Sequence, residues 1–453
     1  MGRNLPVYAT IVSAFRSCRP IALFPILLTA LLVSSIGLPL HAKTLPTALT
    51  ELLKNHPRIQ EAEKQALAAG QDIRDADSGF LPKVSVTGDA GIETIDSPSR
   101  RDVTPEHSNM RRDSLTLTLT QNLFDGFATS SQSTIASLGQ TRAKANLETV
   151  RQAVLFDGIA AYLDVLRTSE LLKVTARNER TITTQLHLEQ ERVRRGSGLS
   201  VDVLQSEARL QVARERRVSI KGQLKTARSR YIELFDEPPE IDAMTPVAIA
   251  QSILPTTIEE ALQAGRKKNP NLQQSKSRVD IADKERTRAR AAFYPDIDFV
   301  VEGSWESDID GVEGIRRESR VLLRGSWDLF DGFKRNAQSA KASEQYGAQL
   351  NNHTTLNREV INRIRRAWVN HETTQETTKL LEKAVEIAEK VFRARRKLRR
   401  DGRESLINVL DAERDLNGAS LRLIGSQYAS RVAAYRLMRD IGALDTKTLN
   451  LPH

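Results

Sequence analysis

The chain repeats itself, and the offset between the repeats constrains its fold more than any other feature. Leu123-Phe124-Asp125-Gly126-Phe127 returns unchanged as Leu329-Phe330-Asp331-Gly332-Phe333, 206 residues later. Gly196 ahead of Asp202-Val203-Leu204 returns as Gly402 ahead of Asn408-Val409-Leu410 at the same offset, so nothing has been inserted between these landmarks. Upstream, Asn55-His56-Pro57 leads to Phe80-Leu81-Pro82, and Asn269-Pro270 leads to Phe293-Tyr294-Pro295. Proline to proline is 25 residues in both copies, but here the offset is 213. The difference of seven falls between the second proline and the Leu-Phe-Asp-Gly-Phe motif, a span of 41 residues in one copy and 34 in the other. One tandem duplication of a fixed-length body with a length-tolerant loop accounts for all of it.

Each copy reads as helix, strand, strand, helix. Leu49, Leu52 and Leu53 share a helical face, and Pro57 opens a second helical segment through Ile59, Ala62, Ala66 and Ile73. After Pro82 the period changes to two: Val84, Val86, Gly88, Ala90 and Ile92 alternate with polar partners, and Leu115, Leu117 and Leu119 alternate with threonines. The span from Thr94 to Asp113, with Pro98 and Pro105, reads as the loop between them. In the second copy Ile297 to Trp305 and Val321 to Leu329 alternate in the same way, with Trp305 and Trp327 near strand ends as interfacial aromatics would be. Strands of about ten residues are long enough to cross a bilayer at a tilt. No proline then interrupts Phe127 to Arg195, where Leu147, Val150, Val154, Leu155, Ile159, Tyr162 and Leu166 step by threes and fours; Val360 and Trp368 hold the places of Val154 and Tyr162. Such a helix reaches on the order of 100 Å, and its narrow apolar stripe suits coiled-coil seams. Gly196-Ser197-Gly198 and Asp401-Gly402 turn each long helix back into a returning one.

The N-terminal segment reads as a signal peptide over 1–42, with Arg3, Arg16 and Arg19 before the apolar Ile21 to Leu40 and a small-residue site at Leu40-His41-Ala42. An uncleaved anchor is the alternative. The only cysteine, Cys18, precedes the apolar run, whereas a lipoprotein carries its cysteine at the cleavage point. The expected divisions are the signal, a first repeat over 43–236, a proline-rich linker over 237–256, a second repeat over 257–445 and a tail over 446–453. The formal charge of +10 comes from Lys and Arg interspersed with Asp and Glu, with little aromatic interleaving, which argues against nucleic acid. The seven histidines are scattered, and no phosphate-cradling loop or His-Glu-x-x-His motif occurs, so neither an enzyme nor a cofactor is expected. Asp308-Ile309-Asp310-Gly311 has its glycine too early for a helix-loop-helix calcium site and reads as a surface loop.

Four strands with one lipid-compatible face cannot seal themselves in hydrocarbon, because each open edge leaves backbone groups unpaired at several kcal/mol apiece. Identical chains must share one pore, and three of them supply about 12 strands, wide enough for an aqueous lumen. The competing class is a periplasmic coiled-coil scaffold or adaptor without a barrel, which would not need such strands.

In its duplicated layout, its Asn-Pro and Phe-(Leu/Tyr)-Pro landmarks, Leu-Phe-Asp-Gly-Phe and the hairpin Gly followed by Val-Leu, the chain resembles the TolC-type outer-membrane channel family over nearly all of 43–445. The resemblance implies a mixed α and β membrane protein: a homotrimer whose 12-stranded outer-membrane β-barrel, four strands per chain, continues into a long periplasmic α-helical coiled-coil barrel. It implies an exit duct for type I protein secretion or drug efflux, with a periplasmic adaptor and an inner-membrane ABC or proton-driven transporter as partners. The missing lipidation cysteine favours protein secretion. Where the family carries Val-Asp-Val-Leu-Asp at its constricted end, this chain has Ile407-Asn408-Val409-Leu410-Asp411, so Asp411 matches as a gate residue and Asn408 departs; Asp202 holds the corresponding place in the first copy. Asp411 is otherwise an ordinary solvated helix residue. Gly196, Gly198, Leu199 and Ser200, with Gly402, resemble the positions that adaptors engage. Arg192, Arg194 and Arg195, and the run Arg393, Arg395, Arg396, Lys397, Arg399, Arg400 and Arg403, are either a docking surface for an acidic partner or a solvated charge run.

Overall fold

The computed structural model describes residues 44–96, 98, 108–245, 254–449 and 451. The segment read as a signal peptide, with Cys18, most of the loop between the first two strands and the middle of the expected linker lie outside them. The elements in chain order are α1 (Leu45–Asn55), α2 (Pro57–Ser78), β1 (Lys83–Ile95), β2 (Ser108–Phe124), α3 (Ala128–Arg194), α4 (Ser200–Phe235), α5 (Ile258–Lys268), α6 (Pro270–Ala291), β3 (Asp296–Ser307), β4 (Ile315–Ser326), α7 (Lys334–Arg400) and α8 (Leu406–Ile441). The duplication is carried to the residue: α5 and α6 repeat α1 and α2 at an offset of 213, and α7 and α8 repeat α3 and α4 at 206. Both long helices have 67 residues and both returning ones 36. The strands differ from the sequence reading at their ends. β1 and β2 extend into the expected loop from Thr94 to Asp113, while β4 begins at Ile315 and stops before Trp327, whose indole donates to the Phe293 carbonyl at 3.3 Å.

The landmark motifs make the joints. Pro57 and Pro270 each stand at the first helical position, capped by His56 and Asn269, whose side chains accept from the backbone N–H two residues on. In Leu-Phe-Asp-Gly-Phe, the Gly and the following Phe both take positive φ (Gly126 64°, Phe127 71°; Gly332 68°, Phe333 66°). This sharp turn swings the chain out of the sheet, and the Asp then satisfies the new helix's first turn: Asp125 accepts from the Thr129 N–H at 2.7 Å, Asp331 from the Arg335 N–H at 3.0 Å.

The strands form one antiparallel sheet in the order β1-β2-β3-β4, with a bulge in β2 between Asn122 and Phe124. The register sorts side chains by face. Val84, Val86 and Ile92, Leu115 and Leu117, and Val321 and Leu323 lie on one face, and all are exposed. On the other lie threonines and cross-strand ion pairs such as Arg112 with Glu93 at 3.2 Å and Arg316 with Glu306 at 3.9 Å. The short loop 308–314 joins β3 to β4 as expected of a surface turn, with Asp308 accepting from the Gly314 N–H at 2.7 Å. No described helix is long and apolar enough to cross a membrane.

Core formation is concentrated in the helical body, with its largest clusters near the middle of the long helices and a smaller one of Ile182, Leu186, Leu210 and Ala213 towards the first hairpin tip. Val154, Leu155, Ile159, Tyr162 and Leu166 on α3 pack with Leu49 and Leu52 of α1, Tyr231 of α4 and Tyr435 of α8. A second cluster joins Ala261 of α5 and Leu272 of α6 to Val360 and Ile364 of α7 and Leu437 of α8. Beyond these knots the helices run as two-helix hairpins, α3 with α4 and α7 with α8, linked mainly through α3 against α8.

Candidate functional site

The two hairpin tips bring most of the sequence-predicted positions together. α3 ends when Gly196 takes φ 75°, so that its N–H and that of Ser197 reach back to the Val193 and Arg192 carbonyls at 2.9 Å. Gly402 does the same at φ 72°, with Arg403 donating to Leu398. Gly198 is required for another reason: a Cβ there would lie 2.7 Å from the Val193 nitrogen. Leu199 follows, exposed, at the head of α4, and Ser200 is its first residue.

Charge at the tips is arranged as ties between hairpins. The Arg399 guanidinium on α7 donates to Glu189 of α3 and Asp202 of α4, both at 3.0 Å, and to the Glu404 carbonyl at 3.3 Å. Glu189 is 1% exposed and also accepts from Gln185 at 2.7 Å and Arg192 at 3.2 Å. Deeper along the coil, Arg209 of α4 donates to Asp411 of α8 at 3.0 Å, and Arg414 approaches the same carboxylate at 3.2 Å. Asp411 is therefore a bridging residue that remains 39% exposed. Asn408 stays within its own segment and donates to Glu404 at 2.6 Å. That bond, the Ser405 N–H and the nearby Arg395 hold the Glu404 carboxyl below its ordinary range.

The basic run divides by the same geometry. Arg399 is spent inside the chain, and Arg395 pairs with Glu404 and Arg393 with Glu389. Arg194 pairs with Glu191. Arg400 and Arg403 are exposed and, among the described residues, make no ion pair. Sequence reasoning did not single out Glu189, Arg209 or Glu413. Two of them carried a legible signal, for Glu189 follows Ile182 and Leu186 on the buried stripe of α3, and Glu413 follows Leu406 and Leu410 on that of α8. A carboxylate on a seam is a charge that must be answered.

At the opposite end of the helices, the two copies of the barrel joint are occupied differently. Phe124 and Phe127 pack edge-on against Tyr294, and a Cβ on Gly126 would lie 2.6 Å from the Ala291 carbonyl. The second motif has no such partner: Phe330 is 75% exposed and nothing lies near Gly332.

A pore-type sheet, two long hairpins and a joint that repeats within one chain are the features of an outer-membrane exit channel. The chain belongs to the outer membrane efflux protein family, which it matches over residues 48–234 and 261–443. It is similar to outer membrane efflux protein BepC of Brucella suis, at 22% identity over 97% of this chain and 93% of that one. It is also similar to alkaline protease secretion protein AprF of Pseudomonas aeruginosa, at 24% over 88% of this chain and 84% of the relative. Among solved structures, the outer-membrane channel OprN shares the fold with a TM-score of 0.78 at 19% identity, covering 88% of this chain and 90% of that one. The fold expected from the resemblance, with four strands and a long helical body per chain, is the one found.

Proposed function

We propose that three copies close into one duct, a barrel of about 12 strands in the outer membrane continued by the helices into the periplasm, and that it passively conducts cargo delivered by an inner-membrane transporter through a periplasmic adaptor. The observation that carries this is the vacant second joint. Within the chain, the first Leu-Phe-Asp-Gly-Phe motif is seated on Tyr294 and Ala291 of the second copy; Phe80 and Leu81, which match Phe293 and Tyr294, are left exposed, as are Leu329 and Phe330. Repeating the internal contact between chains fills both, joins β4 to the next β1 and closes a ring by head-to-tail contacts.

In this duct the tips are the periplasmic end. Asp202, Asn408 and Asp411 surround the gate, held shut by the ties from Arg399 and Arg209, while Gly196, Gly198, Leu199, Ser200, Gly402, Arg400 and Arg403 offer the adaptor its surface. Protein cargo is favoured by the likeness to a protease secretion protein and by the position of Cys18, which does not suit lipidation. Small-molecule efflux is the second reading, supported by the likeness to an efflux protein over nearly the whole chain. Heat-resistant trimers recovered from outer membranes, and loss of a secreted protein when the gene is deleted, are the expected results. A periplasmic monomer would end the channel reading, and loss of drug resistance alone would exchange the cargo.

A further inference from the structure

Glu413 lies on α8 where the second hairpin meets the first, and it is 6% exposed. It borders a cavity of about 340 Å³ between α3, α4 and α8, with Thr175, Asn178, Arg209 and Ala213 on the facing helices. Among the described residues, its Oε1 has no hydrogen-bond partner, and neither has Oδ1 of Asn417, one turn further on. Charged groups face it from every packed element: Arg177 from α3, Arg209, Glu215 and Arg216 from α4, Glu389 and Arg396 from α7, and Arg414 from its own helix. None of the arginines is within ion-pair distance of it, and Arg209 is committed to Asp411. A carboxyl so placed is costly as an anion and acceptable as an acid, since the protonated form can donate its O–H to an acceptor such as the Asn417 side chain and the carboxylate cannot.

We propose that Glu413 is a proton-operated latch on the seam between the hairpins. Protonated, it lies between them as a neutral group and lets the seam close; ionised, it draws the Arg209 guanidinium away from Asp411 and loosens the tie beside the gate. The latch rests on reading the tips as the gated end of a channel. Burial pushes the Glu413 carboxyl up from 4.5 to about 7, opposed by the charges of Arg209 and Arg396. The closed seam thus holds a proton that the loosened seam gives up. Stability of the closed form is full below pH 4.5 and is lost progressively as pH rises to about 7. The latch would therefore make opening of the duct depend on the acidity around its tips.

The test compares the native channel with Glu413→Gln, which keeps shape and removes the titration. Nitroxides at Val212 on α4 and Lys397 on α7, both exposed, report separation of the hairpins by pulsed electron-spin distance measurement without any need for conduction. Between about pH 5.5 and about pH 8, the separated population of the native protein should rise roughly tenfold, and Glu413→Gln should keep the low-pH distribution at both. An unchanged native distribution, or a Gln variant that follows the native one, overturns the latch. Periplasmic-side current in planar bilayers should rise in step with the separation. A seam that moves with pH in a protein that never conducts would count against the channel and leave the latch standing.

Discussion

The two long helices are the same length and begin and end at equivalent positions, yet they are buried to different degrees. α3 has 21 buried residues along its 67, and α7 has four. α3 lies against α1, α2, α4, α6 and α8, whereas α7 packs mainly on α5, α6 and α8 and reaches α3 and α4 through Arg399 at its tip. The duplicated sequence has the same helical plan in both places, so the difference comes from position: α3 is covered by helices of both copies, whereas α7 packs mainly on helices of its own copy. Exposed Val369, Leu380, Ile387 and Val391 along α7 are the consequence. In the proposed ring, that face of the 67-residue helix is where the neighbouring chain would pack.

The comparison can be broken most severely at the barrel joint. Phe124→Ala removes a contact made within the chain and should cost about 3 kcal/mol. If Phe330 were a solvent residue, as it is in the isolated chain, Phe330→Ala would change stability by no more than about 0.5 kcal/mol. In the closed ring it should cost as much as Phe124→Ala, in every subunit, and abolish heat-resistant trimers on gel electrophoresis. Trimers of native stability in Phe330→Ala would refute the equivalence of the two joints.

The duplication, the strands and the turns were legible in the sequence because each is a local matter: period, proline, glycine. The ties were not, because Arg399 reaches Glu189 across 210 residues and Arg209 reaches Asp411 across 202. The density of arginine before Gly402 suggested a docking surface as a whole, and only the fold separates the inward Arg399 from the outward Arg400. The ends of β1 and β2 differ from their sequence pattern for a similar reason. β1 and β2 are held together by cross-strand pairs such as Arg112 with Asp89 and Glu93, which overrule the polar, turn-like composition of that stretch.

Among the ties, Arg399 should have the larger effect. Its position has no charged counterpart in the first copy, where Val193 stands 206 residues earlier, so the donor of this tie between hairpins is found in the second copy alone. Arg399→Ala leaves Glu189, buried, with only Gln185 and Arg192, and should cost about 2–3 kcal/mol in thermal unfolding of the trimer. It should also raise the open fraction in bilayer recordings, where a current equal to the native one would exclude it from the gate. Asp411→Asn acts on a half-exposed pair, screened by water, and should cost about 0.5–1 kcal/mol. Its sharper signature is selectivity: if the proposed duct brings three copies of this carboxylate around one axis, they favour cations, and the variant should lose cation preference and block by multivalent cations.

The smallest effect on stability is expected where the two tips differ most in free charge. Arg194 and Arg399 are answered within the chain, but Arg400 and Arg403 are exposed and, among the described residues, make no ion pair that reversing both to Glu would remove. Such surface changes stay within about 0.5 kcal/mol, and trimers, melting and bare-channel current should all be native. Charge complementarity across an interface acts chiefly on encounter and on rejection of the wrong partner, where like charges in contact cost several kcal/mol. An acidic adaptor end should therefore fail to associate with the Arg400→Glu, Arg403→Glu channel, and export should stop although the duct is intact. Co-purification of the adaptor at native yield with that variant would show that these arginines are solvated charge and that the adaptor reads the Gly196 to Ser200 turn instead.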